Sequence, residues 1–172
     1  MKLIESKTLA TAAASIEFTS IPQTFTDLVF VINIRSTLAE NYDDQLRVKF
    51  NTSTANFTNR QLQGNGSTTN SFSGSDPFIG YIPSANRTAN TFGNAQMYVP
   101  NYTASTNKSA SIDAVTENNA TTAIQTIFAL LWSNSAAITG VSFNALEGNL
   151  AAGSMVSLYG ILKGSDGIVT TS

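Results

Sequence analysis

The segment SMVSLYGILK, residues 154–163, lies near the end of the sequence and is rich in aliphatic and aromatic residues. This composition predicts a β-strand from Ser154 to Lys163. One residue does not fit, because Gly160 lies inside the strand and a glycine weakens a strand interior unless another group packs closely there. The segment therefore raises two questions: which strand pairs with it, and what packs at Gly160.

Strand-like segments recur along the whole chain between turn-rich stretches. QLRVKFN, residues 45–51, alternates apolar and polar residues, which predicts a strand with one face in water. DLVFVINIRS, residues 27–36, is apolar on both faces in its first half, which predicts a central, covered strand. The other candidates are KLIESKTLA, SIEFTSI, FIGYIP, AQMYVPNY, SASIDAVTE and ITGVSFNAL. About eight to ten short strands with little or no helix predict an all-β sandwich or barrel.

Two further segments lack a clear alternation, and their composition alone indicates their secondary structure. The segment from Thr121 to Trp132 tolerates a helix, but its β-branched and aromatic residues and its place between strands favour a strand. Leu62 to Asp76 is a run of Gly, Ser, Asn and Thr with one aromatic, which predicts a long, exposed polar loop. Within it, GNGS at 64–67 lacks the lysine of a phosphate-binding loop, so we interpret it as a turn.

The chain carries unusually little charge for its hydrophobicity. Of 172 residues, 42% are hydrophobic and 12% charged, about half the usual charged share of roughly 25%. The polar surface must therefore come from Asn, Ser, Thr and Gln, which indicates a surface covered by other protein or used for weakly charged contacts. The nine Lys and Arg residues are scattered and the net charge is −2. Nucleic-acid binding needs clustered positive charge, so we predict no nucleic-acid partner.

The absence of Cys and His excludes several classes of site. Disulfides, thiolate or imidazole metal ligands and His-dependent catalytic triads are all impossible, and no nucleophile motif appears. Glu5 and Lys7 interrupt the apolar stretch that a cleaved signal peptide needs. The longest apolar run, TIFALLW, is too short to span a bilayer. We therefore predict a soluble protein without a membrane partner or cofactor.

Two groups of carboxylates are candidate sites of chemistry. Glu40, Asn41, Asp43 and Asp44 offer oxygen ligands of the type that Ca²⁺ prefers, but their spacing does not fit an EF-hand, so a polar loop is the preferred interpretation. Asp113 and Glu117 lie an even number of residues apart and would share one face of a strand. Two carboxylates can hydrolyse glycosides, but such pairs arise by chance in any β protein. We predict no enzyme, and assign no catalytic, cofactor-binding or metal-binding residue.

The aromatic residues allow a sugar-stacking platform as an alternative to packing. The candidates are Tyr81, Tyr98, Tyr102 and Trp132. Core and interface packing is the preferred interpretation, because tyrosine buries a large area while its hydroxyl keeps a partner. If the only tryptophan is buried, the sugar-binding interpretation weakens.

Three stretches together resemble a group of structural proteins of tailed bacteriophages, of the type common in marine and cyanobacterial phages. The stretches are IESKTLATAAASIEFTSIPQTFTDLVFVINIRS, GYIPSANRTANTFGNAQMYVPNYTASTNKSASIDAVTENNA and SLYGILK. The resemblance covers most of the chain outside residues 62–76. It implies a single jelly-roll-like antiparallel β-sandwich domain over residues 1–172, carried on the virion. Members of the group are similar to capsid decoration (cement) proteins and to tail-fibre modules.

The resemblance also implies how the chain closes and assembles. In a jelly roll the chain ends pair in one sheet, so residues 154–163 should lie beside KLIESKTLA and remove two exposed edges. A neighbouring side chain would then cross the strand at Gly160. A decoration protein would sit on the capsid surface as a homotrimer, bind the major capsid protein, and use residues such as Lys2 to Lys7 for contact. The alternative is a tail-fibre or receptor-binding module that recognises a host-surface glycan.

Overall fold

The computed structural model describes residues 1–117 and 123–162, and these form strands, turns and loops without a helix. Twelve strands are present in this part of the chain. In chain order they are β1 (Lys2–Thr8), β2 (Ser15–Phe18), β3 (Asp27–Ile34), β4 (Asp44–Phe50), β5 (Phe57–Gly64), β6 (Thr69–Gly74), β7 (Phe78–Ile82), β8 (Gly93–Val99), β9 (Lys108–Glu117), β10 (Ala123–Trp132), β11 (Val141–Ala145) and β12 (Met155–Ile161).

The strands form two antiparallel sheets that share one core. The eight-stranded sheet has the order β1-β12-β3-β8-β9-β10-β5-β6, and the four-stranded sheet has the order β2-β11-β4-β7. Buried apolar residues from both sheets belong to a single cluster, which includes Phe30, Phe143 and Trp132. The all-β, antiparallel sandwich predicted from the sequence is confirmed. No helix in the described part of the chain is long and apolar enough to cross a membrane.

The strand that contains Gly160 pairs as expected. β12 lies between β1 and β3, with Gly160 opposite Lys2 on one side and Leu28 on the other. A Cβ on Gly160 would overlap the ring of Phe25, so a neighbouring side chain does cross the strand there. The strand ends at Ile161, while Lys163 at the end of the predicted strand lies outside the described residues.

The expected removal of two sheet edges is correct for β12 only. β1 remains the outermost strand of its sheet. It carries Lys2, Glu5 and Lys7 and has a register shift between Leu3 and Glu5. Charges and bulges discourage further strand pairing, so this edge is protected by its own residues.

The long loop predicted from Leu62 to Asp76 is wrong. Leu62 belongs to β5, and β6 runs beside β5 from Thr69 to Gly74. The turn between them is closed by Asn65, whose Oδ1 accepts hydrogen bonds from the backbone N–H of Ser67 and Thr68 at 3.0 and 2.8 Å. Five of the six β6 residues are exposed, so burial imposes no apolar alternation on its sequence.

The segment that ends at Trp132 is a strand, as predicted. β10 begins at Ala123 and pairs with β9 along its length and with β5 from Gln125 onwards. Thr121 lies outside the described residues. Every second residue from Thr126 to Trp132 is buried. This alternation places one face of β10 in the core and the other on the outside of the sandwich.

Candidate functional site

The acidic cluster near residue 40 is a structural junction between loops. Asp44 is 2% exposed. Its Oδ2 accepts hydrogen bonds from Ser36 Oγ at 2.6 Å and Gly148 N at 2.9 Å, and its Oδ1 accepts from Gln45 N at 2.7 Å and Glu147 N at 3.2 Å. These bonds hold the chain around residues 36–45 against the turn at 146–149.

Two other members of this cluster, Asp43 and Glu40, also have partners within the protein. Asp43 forms an ion pair with Arg87, with 2.7 Å between Oδ1 and Nε, and the backbone carbonyl of Glu40 accepts a hydrogen bond from Ser84. Among the residues that the structure describes, no group of three His, Cys, Asp or Glu side chains is placed to hold a metal ion. The side chains of Asp43 and Asp44 therefore stabilise the loops around them.

Asp113 and Glu117 share the outward face of β9, as their spacing predicted, and both are exposed. Four residues of extended chain place their α-carbons about 13 Å apart. The carboxyl groups of a glycosidase lie roughly 5–9.5 Å apart in a cleft. Asp113 accepts a hydrogen bond from Gln125 Nε2 at 2.9 Å. This pair does not have the geometry of a glycosidase site.

The four aromatic residues considered for sugar stacking do not form a platform. Trp132 and Tyr102 are 1% and 0% exposed. Trp132 packs against Phe50 and Phe57 with ring centroids 5.6 and 6.1 Å apart. Tyr98, on another part of the sandwich, donates a hydrogen bond to Asp27. Core packing, the preferred interpretation, is correct for Trp132 and Tyr102.

The outward side of the eight-stranded sheet is a broad, weakly charged surface, which we call the outer face. One transverse row across all eight strands consists of Ser6, Ser157, Val31, Gln96, Asp113, Ile127, Leu62 and Ser71. Three of these side chains are large and apolar yet exposed: Leu62 by 61%, Ile127 by 57% and Val31 by 41%. Gln96 and Asp113 separate Val31 from the other two, whereas Leu62 and Ile127 are direct neighbours. Scattered exposed apolar residues are normal, but a contiguous group indicates an interaction surface.

Leu62 and Ile127 form the centre of the apolar part of the outer face. They lie directly opposite each other on β5 and β10, beneath a shallow depression of about 430 Å³ that Arg60 and Phe72 also line. Leu131, on the same strand face as Ile127, is 37% exposed. Sequence reasoning missed this group because Leu62 was placed at the start of a loop.

A second feature is a polar pocket of about 400 Å³ at one end of the sandwich, which we call the Tyr42 pocket. Its lining comes from both sheets and from the loops that Asp44 holds together. The lining residues are Tyr42, Asp43, Asp44, Gln45, Gln63, Tyr81, Arg87, Ile124 and Glu147. Of the aromatic residues singled out from the sequence, Tyr81 alone contributes to it.

Comparisons with known proteins return no relative of this chain: no family model, no curated protein and no solved structure matches it. The outer face and the Tyr42 pocket are therefore interpreted from their own chemistry.

Proposed function

We propose that this protein is a structural component of a tailed-phage particle that binds the outside of the capsid and reinforces the shell. The observation that carries the proposal is the outer face, where Leu62 and Ile127 are exposed side by side on a broad antiparallel sheet. Contiguous apolar surface of this kind is stabilised when a partner covers it, at about 25 cal/mol per Å² buried. The resemblance of three sequence stretches to phage structural proteins supplies the class of partner, the major capsid protein.

The charge distribution supports a contact based on packing and neutral hydrogen bonds. Among the outward-pointing strand residues in the described part of the chain, charge on the outer face is confined to Asp27, Arg60, Asp113 and Glu117. Much of the remainder is serine, threonine, asparagine and glutamine. A weakly charged interface loses little affinity when salt changes, because salt screens only charged contacts. Binding would be non-covalent and would bridge neighbouring shell subunits.

We further propose that the protein assembles as a closed, symmetric homotrimer. A homotrimer placed on a threefold position of the shell would repeat one contact three times, which multiplies the effect of a modest interface. Sedimentation equilibrium of the purified protein tests the trimer directly, and a monomer both in solution and on the particle contradicts it.

Electron microscopy of virions labelled with an antibody against this protein tests the location. Label over the head is the expected result. Label confined to the tail or its fibres overturns the capsid assignment and supports the tail-fibre alternative. If the label lies over the head, particles that lack the protein should lose infectivity faster than native particles on heating or osmotic shock, because the shell contacts that the protein supplies are missing.

A further inference from the structure

The Tyr42 pocket is built by residues that are far apart in sequence, and the fold fixes their positions. Tyr42 and Asp43 come from the loop before β4, Gln63 from the end of β5, and Glu147 from the turn after β11. Asp44 ties the first and last of these segments together by accepting two hydrogen bonds, from the backbone N–H groups of Glu147 and Gly148. The pocket volume of about 400 Å³ falls within the range of roughly 300–1,000 Å³ for small-molecule sites.

Two tyrosines supply aromatic surface together with hydroxyl groups. Tyr42 is 48% exposed, and its hydroxyl donates a hydrogen bond of 2.8 Å to Glu147 Oε2, which holds the two side chains in one arrangement. Tyr81 is partly buried and packs edge-on against Phe78, with ring centroids 5.0 Å apart. Burial, and then the charge of Asp43, raise the pKa of the Tyr81 hydroxyl, so it remains a neutral hydrogen-bond donor.

The amide of Gln63 has spare hydrogen-bonding capacity. Its Oε1 is buried and has no hydrogen-bond partner within the described part of the chain. An unsatisfied buried amide oxygen costs about 1–3 kcal/mol. Rotation of this side chain towards a ligand hydroxyl would break no bond at that oxygen and would remove the penalty. After such a rotation the amide would reach a polar ligand in the pocket.

The charges in the pocket disfavour an anionic ligand. Asp43, Asp44 and Glu147 outnumber Arg87, so sulfated, phosphorylated or carboxylated ligands would be repelled. Asp43 is paired with Arg87, whereas Asp44 and Glu147 accept hydrogen bonds from neutral donors and keep their negative charge, so a basic ligand is the competitor that the binding experiment must distinguish. Apart from the carboxylates, the pocket offers a ligand aromatic surface, two phenol hydroxyls and an amide.

We propose that the Tyr42 pocket binds a short neutral saccharide. The C–H face of a sugar ring packs on an aromatic ring, while its hydroxyls both donate to carboxylates and accept from phenol and amide groups. Glu147 would accept from one hydroxyl and Gln63 would bind a second. The site does not depend on the capsid assignment, since the pocket lies away from the outer face and a saccharide ligand can be tested on the isolated protein.

A glycan array with neutral and acidic saccharides, followed by calorimetric titration of the best neutral ligand, tests this proposal. Tyr42→Ala should weaken binding at least about tenfold, whereas Tyr42→Phe, which keeps the ring, should retain most of the affinity. Phe72→Ala is the matched control, because Phe72 is 47% exposed and lies outside the pocket. It should leave the affinity unchanged.

Four results would overturn the proposal. They are the absence of any neutral saccharide among the bound ligands, a preference for acidic saccharides, binding of a lysine-rich peptide in competition with the sugar, and native affinity in Tyr42→Ala. Circular dichroism of each variant distinguishes loss of the site from loss of the fold.

Discussion

The ring of Phe25 occupies the space in the core that a side chain on Gly160 would need. Phe25 precedes β3, and its neighbour Thr26 anchors this segment to β12 through a backbone N–H bond of 2.9 Å to the carbonyl of Ile161. The glycine therefore completes the packing rather than interrupting the strand. The chain can close with β12 between β1 and β3 because one aromatic ring fills the missing side-chain volume.

Replacing this glycine should destabilise the protein. Gly160→Ala forces the ring of Phe25 to move, and overpacking of this kind costs about 1–3 kcal/mol. Gly64→Ala is the matched control, because a Cβ there meets no atom within 4 Å. The free energy of unfolding in urea measures both. Equal stability of the two variants would contradict the proposed packing role of Phe25.

Asp44→Asn should be more damaging than its conservative appearance suggests. An amide replaces one carboxylate oxygen with a donor, which would face backbone N–H groups that also donate. We expect a loss of about 2–3 kcal/mol, together with faster hydrogen exchange at Glu147 and Gly148. Asp113→Asn provides the comparison, because Asp113 is exposed and should change stability by less than about 0.5 kcal/mol. A similar small effect at both positions would show that the Asp44 bonds do not hold the loops.

The sequence predicts correctly those strands in which burial imposes a pattern of apolar and polar residues. β4 alternates because one of its faces lies in the core, and residues 28–30 of β3 are apolar because they are covered, whereas Val31 next to them is 41% exposed. β6 was missed for the opposite reason. It is exposed along almost its whole length, and it is held by pairing with β5 and by the Asn65 turn, neither of which requires apolar residues.

The candidate sites were less predictable than the fold. Tyr42, Gln63 and Glu147 are ordinary polar residues in sequence, separated by 21 and 84 positions, and only the sandwich brings them to one pocket. Leu62 and Ile127 likewise form an apolar group only because the strand register places them opposite each other on β5 and β10. Of the four aromatic residues that composition singled out, Trp132 and Tyr102 are used by the core.

Alkaline pH should weaken the fold through Tyr102. Burial raises the pKa of its hydroxyl, which donates a hydrogen bond to the carbonyl of Pro22. Above the unfolded-state value of about 10, the unfolded chain loses this proton while the folded chain keeps it. The contribution to stability is therefore complete below pH of about 10 and is lost as pH rises through the higher folded-state pKa.

Tyr102→Phe isolates this contribution. The variant should be less stable than the native protein by about 1 kcal/mol at pH 7, because the hydrogen bond is missing. Its free energy of unfolding should fall less steeply above pH of about 10. Urea titrations at a series of pH values give both slopes, and parallel curves would exclude Tyr102 as a source of the alkaline loss.

The outer face can be tested by removing its apolar centre without disturbing the sheet. Leu62 and Ile127 are exposed by 61% and 57%, so replacing both with threonine should change stability little while retaining strand-forming residues. If this face contacts the capsid, the double variant should bind particles that lack the native protein at least about tenfold more weakly in a co-sedimentation assay. Leu3→Thr is the control, since Leu3 is 52% exposed at the far edge of the same sheet. Native affinity in the double variant together with weakened binding in Leu3→Thr would overturn the assignment and transfer the contact to the N-terminal strand.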